Sequence, residues 1–410
     1  MMGRRLWIGG GACLLAVMLC SAATAAGTPA TPPVLPAHLR GVAIQAYGFT
    51  PQAAQRMAAD GINLVRVAID ARPSDNPPAP TQTDPLLPYR QDLKFLHQTL
   101  PLCDKLGIRV IVTLGNVYGR KLDVFWKQTD DARRFRAYLP QFWSAFAREF
   151  KDYLALVGYD VFNEPNYQPG DESSWYDDML PKSIAAIRKI NPTIWLVVEP
   201  GPWAFPNGFA SMPLVKDPYV IYSFHWYAPH GYTHQYLHSQ DVAKIPRDRV
   251  YPGPLQMFYD SPAHKPEQWD KATMARYLQP VVDFQKQHHV RILVGEFGVI
   301  RWAPGAAQWL SDSISLFEQH GWDWCVIGYP TAWNPNVPDG SRTWTGWNLS
   351  YRGDDPRVIG PYLSGATSDR MQVLQRGWAA NRTEGAVPSA KAQAARPGPR
   401  KSTAGHEQAH

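Results

Sequence analysis

The stretch QDLKFLHQTLPLCDKL at residues 91–106 runs into Gly107 and then into IRVIVTL at 108–114. The first part has the apolar spacing of a helix, the glycine reads as its C-cap, and the second part is an almost unbroken apolar run. A strand wetted on one face alternates apolar and polar residues. A run this continuous marks a strand buried on both faces. The unit recurs along the chain. Short runs rich in Val, Ile, Leu and aromatics lie at 40–47, 62–69, 108–114, 156–162, 194–198, 220–224, 291–294 and 324–327. Helical patterns at 51–59, 91–106, 130–153, 175–190, 271–288 and 306–320 separate most of them, and only the gap between the fifth and sixth runs lacks a clear helix. Eight strands alternating with helices predict parallel βα repeats, and hence an α/β protein built as a single (β/α)8 TIM barrel over residues 39–380. The competing doubly wound open sheet would want a Gly-rich phosphate turn after its first strand, and none is there. Inserts at 72–89, 228–267 and 331–355 each follow a strand end, so they predict extended loops on the C-terminal face.

Composition agrees with one large core. The 410 residues are 45% hydrophobic and 19% charged, which excludes a disordered chain. The 16 Trp are an unusual number, and Trp serves in cores, at interfaces or as a flat stacking platform. The net charge of +6 sits mostly at the two ends, in Arg4 and Arg5 and in Arg382, Lys391, Arg396, Arg400 and Lys401. The body is close to neutral, with no basic stripe to bind nucleic acid.

Residues 1–26 read as an export signal: Arg4 and Arg5, an apolar run from Leu6 to Cys20, then small residues around Ala23-Thr24-Ala25. A twin-arginine route and an uncleaved anchor are the competing readings, although the run is short for a membrane span. Residues 27–38 read as an extended linker, and 381–410, low in apolar residues, as a disordered tail. The expected location is secreted or periplasmic, with no stable membrane insertion after cleavage. Cys13 and Cys20 would leave with the signal. Cys103 and Cys325, on a helix and a distant strand, read as buried free thiols, and no Cys/His spacing suggests a metal.

Polar residues appear where the apolar runs stop: Arg66, Asn163-Glu164, Glu199, His225, Tyr227 and Glu296. In a barrel these ends converge on one face. A charge embedded there is costly unless it is paired or used. Glu164 and Glu296 come from the fourth and seventh runs, on opposite sides of the mouth, and are candidates for the two carboxyl groups that cleave a glycosidic bond. One protonates the leaving oxygen and the other attacks or activates water. Spacing alone leaves open which is which, and structural salt bridges are the plain alternative. Glu199 reads as a sugar-hydroxyl ligand or a structural acid. Trp203, Trp226, Trp302 and Trp344 lie near strand ends or loops, whereas Trp195, Trp322 and Trp324 read as core.

The segment Tyr159-Asp160-Val161-Phe162-Asn163-Glu164-Pro165-Asn166 resembles the Asn-Glu-Pro signature of glycoside hydrolase family 5, the cellulase family. Val294-Gly295-Glu296-Phe297-Gly298 resembles its nucleophile segment, Asn63-Leu64-Val65-Arg66-Val67 its second-strand arginine, and His225-Trp226-Tyr227 its His-x-Tyr. The ordered set covers nearly all of the chain after the signal. The resemblance implies a retaining glycosidase; the expected enzyme acts as a monomer, without metal or organic cofactor, on a β-linked polysaccharide or oligosaccharide, a β-glucan of the cellulose type or an exopolysaccharide before mannan. It implies Glu164 as acid/base, Glu296 as nucleophile, Asn163 on the sugar 2-hydroxyl, Arg66 and Tyr227 holding Glu296, and His225 in the hydrogen-bond network. It also implies an aromatic floor for the sugar, for which Trp333 is the choice and Tyr329 the rival; Trp203 is a further subsite candidate. Retention requires carboxyl groups about 5–5.5 Å apart. There is one departure. The family often has a His after its third strand, and Gly115 stands there, followed by Asn116.

Overall fold

The structure, a computed structural model, describes residues 31–71, 81, 83–117, 125–237, 244, 246–259, 263, 265–330, 346–349 and 368–383. The export signal, Trp333, Trp344 and most of the expected tail lie outside the described residues.

Eight parallel strands close into a barrel: β1 (Arg40–Gln45), β2 (Leu64–Ile69), β3 (Arg109–Leu114), β4 (Leu156–Asp160), β5 (Trp195–Val198), β6 (Val220–Trp226), β9 (Arg291–Phe297) and β10 (Asp323–Val326), in that order around the ring. A short antiparallel pair, β7 (Gly253–Leu255) and β8 (Glu267–Trp269), belongs to the insert after β6. The helices are α1 (Pro51–Asp60), α2 (Arg90–Leu106), α3 (Asp130–Arg136), α4 (Tyr138–Phe150), α5 (Leu180–Arg188), α6 (His230–Thr233), α7 (Lys271–His288), α8 (Ala306–Gln319) and α9 (Asp369–Thr383). The strands were readable because they are buried on both faces: every residue of β2, β3, β4 and β6 is buried. Helix ends follow local chemistry. Thr50 caps α1 by accepting from the Ala53 N–H at 3.2 Å, and Asp270 caps α7 through Thr273 at 2.9 Å.

Three features differ from expectation. The pattern at 130–153 is two helices, α3 and α4, separated at Ala137. The pattern at 175–190 opens with a π-helical turn, Ser174–Met179, before α5. Finally α9, with Met371, Leu374 and Trp378 buried, was not expected.

The core has two parts. The larger lies between barrel and helices. The smaller takes Ala43, Leu64, Ile111, Val157, Val197, Ile221, Leu293 and Cys325 from all eight barrel strands, and is therefore the barrel interior. Leu35, within the expected linker, packs against this interior cluster. Its neighbours Pro33 and Pro36 accept hydrogen bonds from Trp195 and Arg291 at 2.8 and 2.9 Å. Cys103 and Cys325 are buried free thiols, as expected. Among the described residues, no helix is long and apolar enough to cross a membrane.

Candidate active site

The side-chain alternation of a strand carries the inward face from Leu64 to Arg66, from Val197 to Glu199 and from Ile221 to Ser223 and His225. The apolar interior thus ends in a polar layer at the C-terminal mouth. In β9 the register shifts between Val294 and Glu296, which turns Glu296 toward the cluster. Gly295 makes that approach feasible: a Cβ there would lie 2.6 Å from Ser223 Oγ, 3.1 Å from His225 Nε2 and 3.2 Å from Glu199 Oε1.

Arg66 organises the layer and is fully buried. It donates to Asp160 Oδ2, Glu296 Oε1 and Asn163 Oδ1, each at 2.8 Å, and to Glu199 Oε1 at 3.1 Å. Burial alone would lower its pKa, but Asp160, Glu199 and Glu296 together raise it. Asp160 has the converse problem. Burial and the nearby Glu199 charge push it up to about 8 against the pull of Arg66. In Glu199, burial also opposes ionisation, yet the charges of His225 and Arg66 win and hold it down at about 2. Removing the common cation exposes the cost of this arrangement. Arg66→Met should lower stability by about 3–5 kcal/mol, because the buried carboxylates lose their partner. Chemical denaturation measures it, and a midpoint equal to wild type would refute the pairing.

Glu296 is held at both oxygens, by Arg66 and by Tyr227 Oη at 2.9 Å. Glu164 instead contacts His225, with Nδ1 to Oε1 at 2.6 Å. Burial raises the Glu164 pKa; His225 works against this, while Glu296 and Glu199 add to it. His225 is fully buried, and although burial opposes its charge, Glu199, Glu296 and Glu164 raise its pKa well above the usual value. The Glu164 backbone sits at φ +49°, a conformation costing about 1–2 kcal/mol for a residue with a Cβ. Its N–H is fixed by Glu199 Oε2 at 2.8 Å. One carboxylate oxygen each of Glu164 and Glu296 and one ring nitrogen of His225 all lie within 4.8 Å of each other. A cation could span such a trio. Here the His225–Glu164 contact already has hydrogen-bond length and Arg66 already neutralises Glu296, so the donor set suits a shared proton better.

A cavity of about 240 Å³ opens over the pair, lined among others by Gln45, Ala68, His234, Leu237 and Trp347. Trp347 and His234 lie outside the barrel strands, with ring centres 5.8 and 5.1 Å from Tyr227. Sequence reading missed both, along with Gln45 and Asp160. Asp160 did carry a signal, since a charge inside a buried run requires a partner. Tyr329 packs its ring against Trp378 and donates its hydroxyl to Asp60 at 2.6 Å, which turns it to a structural contact instead of a sugar floor. Trp226 and Trp302 are packing residues, fully enclosed and bonded to Ser313 and Gln235. Trp203, on the loop after β5, is 43% exposed. Glu199 is fully buried and engaged by protein groups, which removes the sugar-ligand reading. At the departure after β3, a Cβ on Gly115 would lie 2.2 Å from Asp70 Oδ1, so the Asp70 carboxylate occupies that space. Asn116 accepts from the Ala71 N–H at 3.0 Å.

The model of the family described as Cellulase (glycosyl hydrolase family 5) matches residues 25–329. The chain belongs to this family. This family-5 member is therefore a glycosidase. It is 24% identical over 297 residues to Endoglucanase C of Acetivibrio thermocellus, covering 68% of this chain and 84% of that protein. It is 22% identical to Cellodextrinase A of Ruminococcus flavefaciens over 260 residues, covering 61% and 71%. The crystal structure of the Pseudomonas stutzeri endoglucanase Cel5A in complex with cellobiose superposes with a TM-score of 0.58 at 18% identity, covering 85% and 95%. That likeness confirms the barrel.

Proposed function

We propose that this family-5 glycosidase cleaves a β-linked glucan of the cellulose type by retaining double displacement, with Glu296 as nucleophile and Glu164 as acid/base. The observation that carries the reading is the unequal environment of two close carboxyl groups. Glu296 receives one donor on each oxygen, from Arg66 and Tyr227, as a carboxylate should. Glu164 sits against His225 with its pKa raised, as a proton donor should. One oxygen of each approaches within 4.8 Å of the other, which supports the short carboxyl separation of a retaining enzyme over the longer one of an inverting enzyme.

Substrate binding follows from the same neighbours. Arg66 has only donors, so it takes the oxygen of Asn163 and leaves the amide NH2 for the sugar 2-hydroxyl. Trp203 and Trp347 supply aromatic faces for the C–H faces of sugar rings. The glucan preference is supported by relatives named as endoglucanases and a cellodextrinase. Mannan or an exopolysaccharide is the nearest enzymatic alternative, and a non-catalytic glycan-binding barrel is the alternative of another class. Export to the periplasm or medium is part of the proposal and rests on the composition of residues 1–26. A panel of β-1,4-, β-1,3- and mannose-linked oligosaccharides with product analysis tests it. Release of shorter β-1,4-glucans is expected. Cleavage of the mannose-linked members alone would replace the substrate, and no cleavage of any member would favour the binding barrel.

A further inference from the structure

We infer that Glu199 is a positioning residue for the catalytic proton: it holds hydrogen on Nε2 of His225, so that Nδ1 and Glu164 share the proton delivered to the leaving oxygen. The inference rests on the proposed role of Glu164 as acid.

The geometry leaves Glu199 no contact with substrate. Its Oε2 accepts from the Glu164 N–H at 2.8 Å, and its Oε1 meets Arg66 at 3.1 Å, Ser223 Oγ at 3.2 Å and His225 Nε2 at 3.0 Å. The last contact is at ion-pair distance, although out of line for an ideal hydrogen bond. An ionised carboxylate only accepts, so its charge 3.0 Å away favours hydrogen on the ring atom facing it. The opposite ring atom, Nδ1, lies 2.6 Å from Glu164 Oε1, a contact that needs one proton between the two. Whichever atom holds it, the histidine and the acid store one transferable proton. In the first half-reaction the Glu164 O–H bond breaks, the leaving oxygen gains the proton as its bond to the anomeric carbon breaks, and that carbon bonds to Glu296. In the second, water gives its proton back to Glu164 and its oxygen to the sugar, releasing Glu296.

Other groups face the histidine too. Glu296 Oε2 lies 3.8 Å from Nδ1, Tyr227 follows on the same strand end, and Arg66 and Asp160 stand behind Glu199. Glu199 contributes a negative charge that keeps the shared proton in place. Glu199→Gln removes the charge at nearly constant shape. The pH profile of kcat/KM on a substrate with a poor leaving group should then lose its alkaline limb earlier, by about one pH unit. Its rate should fall about 10–100-fold, the usual effect of a group supporting a catalytic one. For a dinitrophenyl β-glycoside, whose leaving group needs no proton, kcat/KM should stay within about threefold of wild type.

An unmoved alkaline limb, or an equal loss on both substrates, would overturn the inference and leave Glu199 a structural partner only. The underlying reading fails separately: if Glu164→Gln keeps the wild-type alkaline limb, Glu164 is not the acid. Should Glu199→Gln not fold, the wild-type chain still decides. The ¹⁵N ring shifts of His225 should show Nε2 protonated between about pH 5 and 8. An Nε2 without hydrogen would overturn the inference.

Discussion

Glu296→Ala should cleave its substrate on the order of 10⁴–10⁶-fold more slowly than wild type while remaining folded. The rate is lost because no other group can form the covalent bond to the anomeric carbon. The fold persists because Arg66 keeps two buried partners, Asp160 and Glu199, so the substitution strands no cation. Glu296 side-chain exposure of 21% also means that truncation opens onto the cavity and not into the apolar core. The melting temperature should therefore change little or rise, as happens where function and stability compete for a residue. Added azide should enter the vacated space and attack from the side of the lost carboxylate, giving an α-glycosyl azide from a β-glycoside. Ordinary activity in this variant would dismiss Glu296 as nucleophile. Simple unfolding would favour the structural salt-bridge reading.

Glu164→Gln should separate substrates by leaving group. A poor leaving group needs protonation, so its cleavage should slow about 10²–10⁴-fold. A dinitrophenyl glycoside should still glycosylate Glu296 at close to the normal rate. Deglycosylation also needs Glu164, as base, so this substrate should give a burst and then stall. Azide needs no base and should relieve the stall, giving a β-glycosyl azide. The two variants thus yield azides of opposite configuration. Uniform slowing of both substrates, without a burst, would remove Glu164 from the acid role.

The barrel was legible because burial on both faces leaves a period-free apolar run, as in VRVAI of β2 and RVIVTL of β3, and few architectures bury eight such strands. What escaped was set by tertiary packing. The apolar residues Met371, Leu374 and Trp378 of α9 are embedded in a polar segment, so the helix owes its place to the Trp324 and Tyr329 rings it meets. The π-helical turn at Ser174–Met179 shares its apolar spacing with an ordinary helix. β7 and β8 are three residues each, too short to alternate.

The site divides in the same way. Arg66, Asn163, Glu164, His225, Tyr227 and Glu296 could be found because polar residues interrupt apolar strands, and the structure joins all six into one hydrogen-bonded group through Glu199. Which carboxyl carries the proton was not legible from spacing, and the proposed assignment rests on Tyr227 and Arg66 meeting Glu296 while His225 meets Glu164. Trp347 and His234 were hidden because they reach the cavity from outside the barrel strands, where no strand period predicts direction. The space beside Gly115 belongs to Asp70, a neighbour on the adjacent strand end that no local pattern reveals.

Retention is the central claim, and the anomeric configuration of the first product tests it most directly. Proton NMR of a β-glucan oligosaccharide, recorded within the first minutes of cleavage, before mutarotation, reports it. The β-anomer should appear first and the α-anomer only later, as the two equilibrate. Initial release of the α-anomer would contradict the double displacement and the roles given to Glu164 and Glu296.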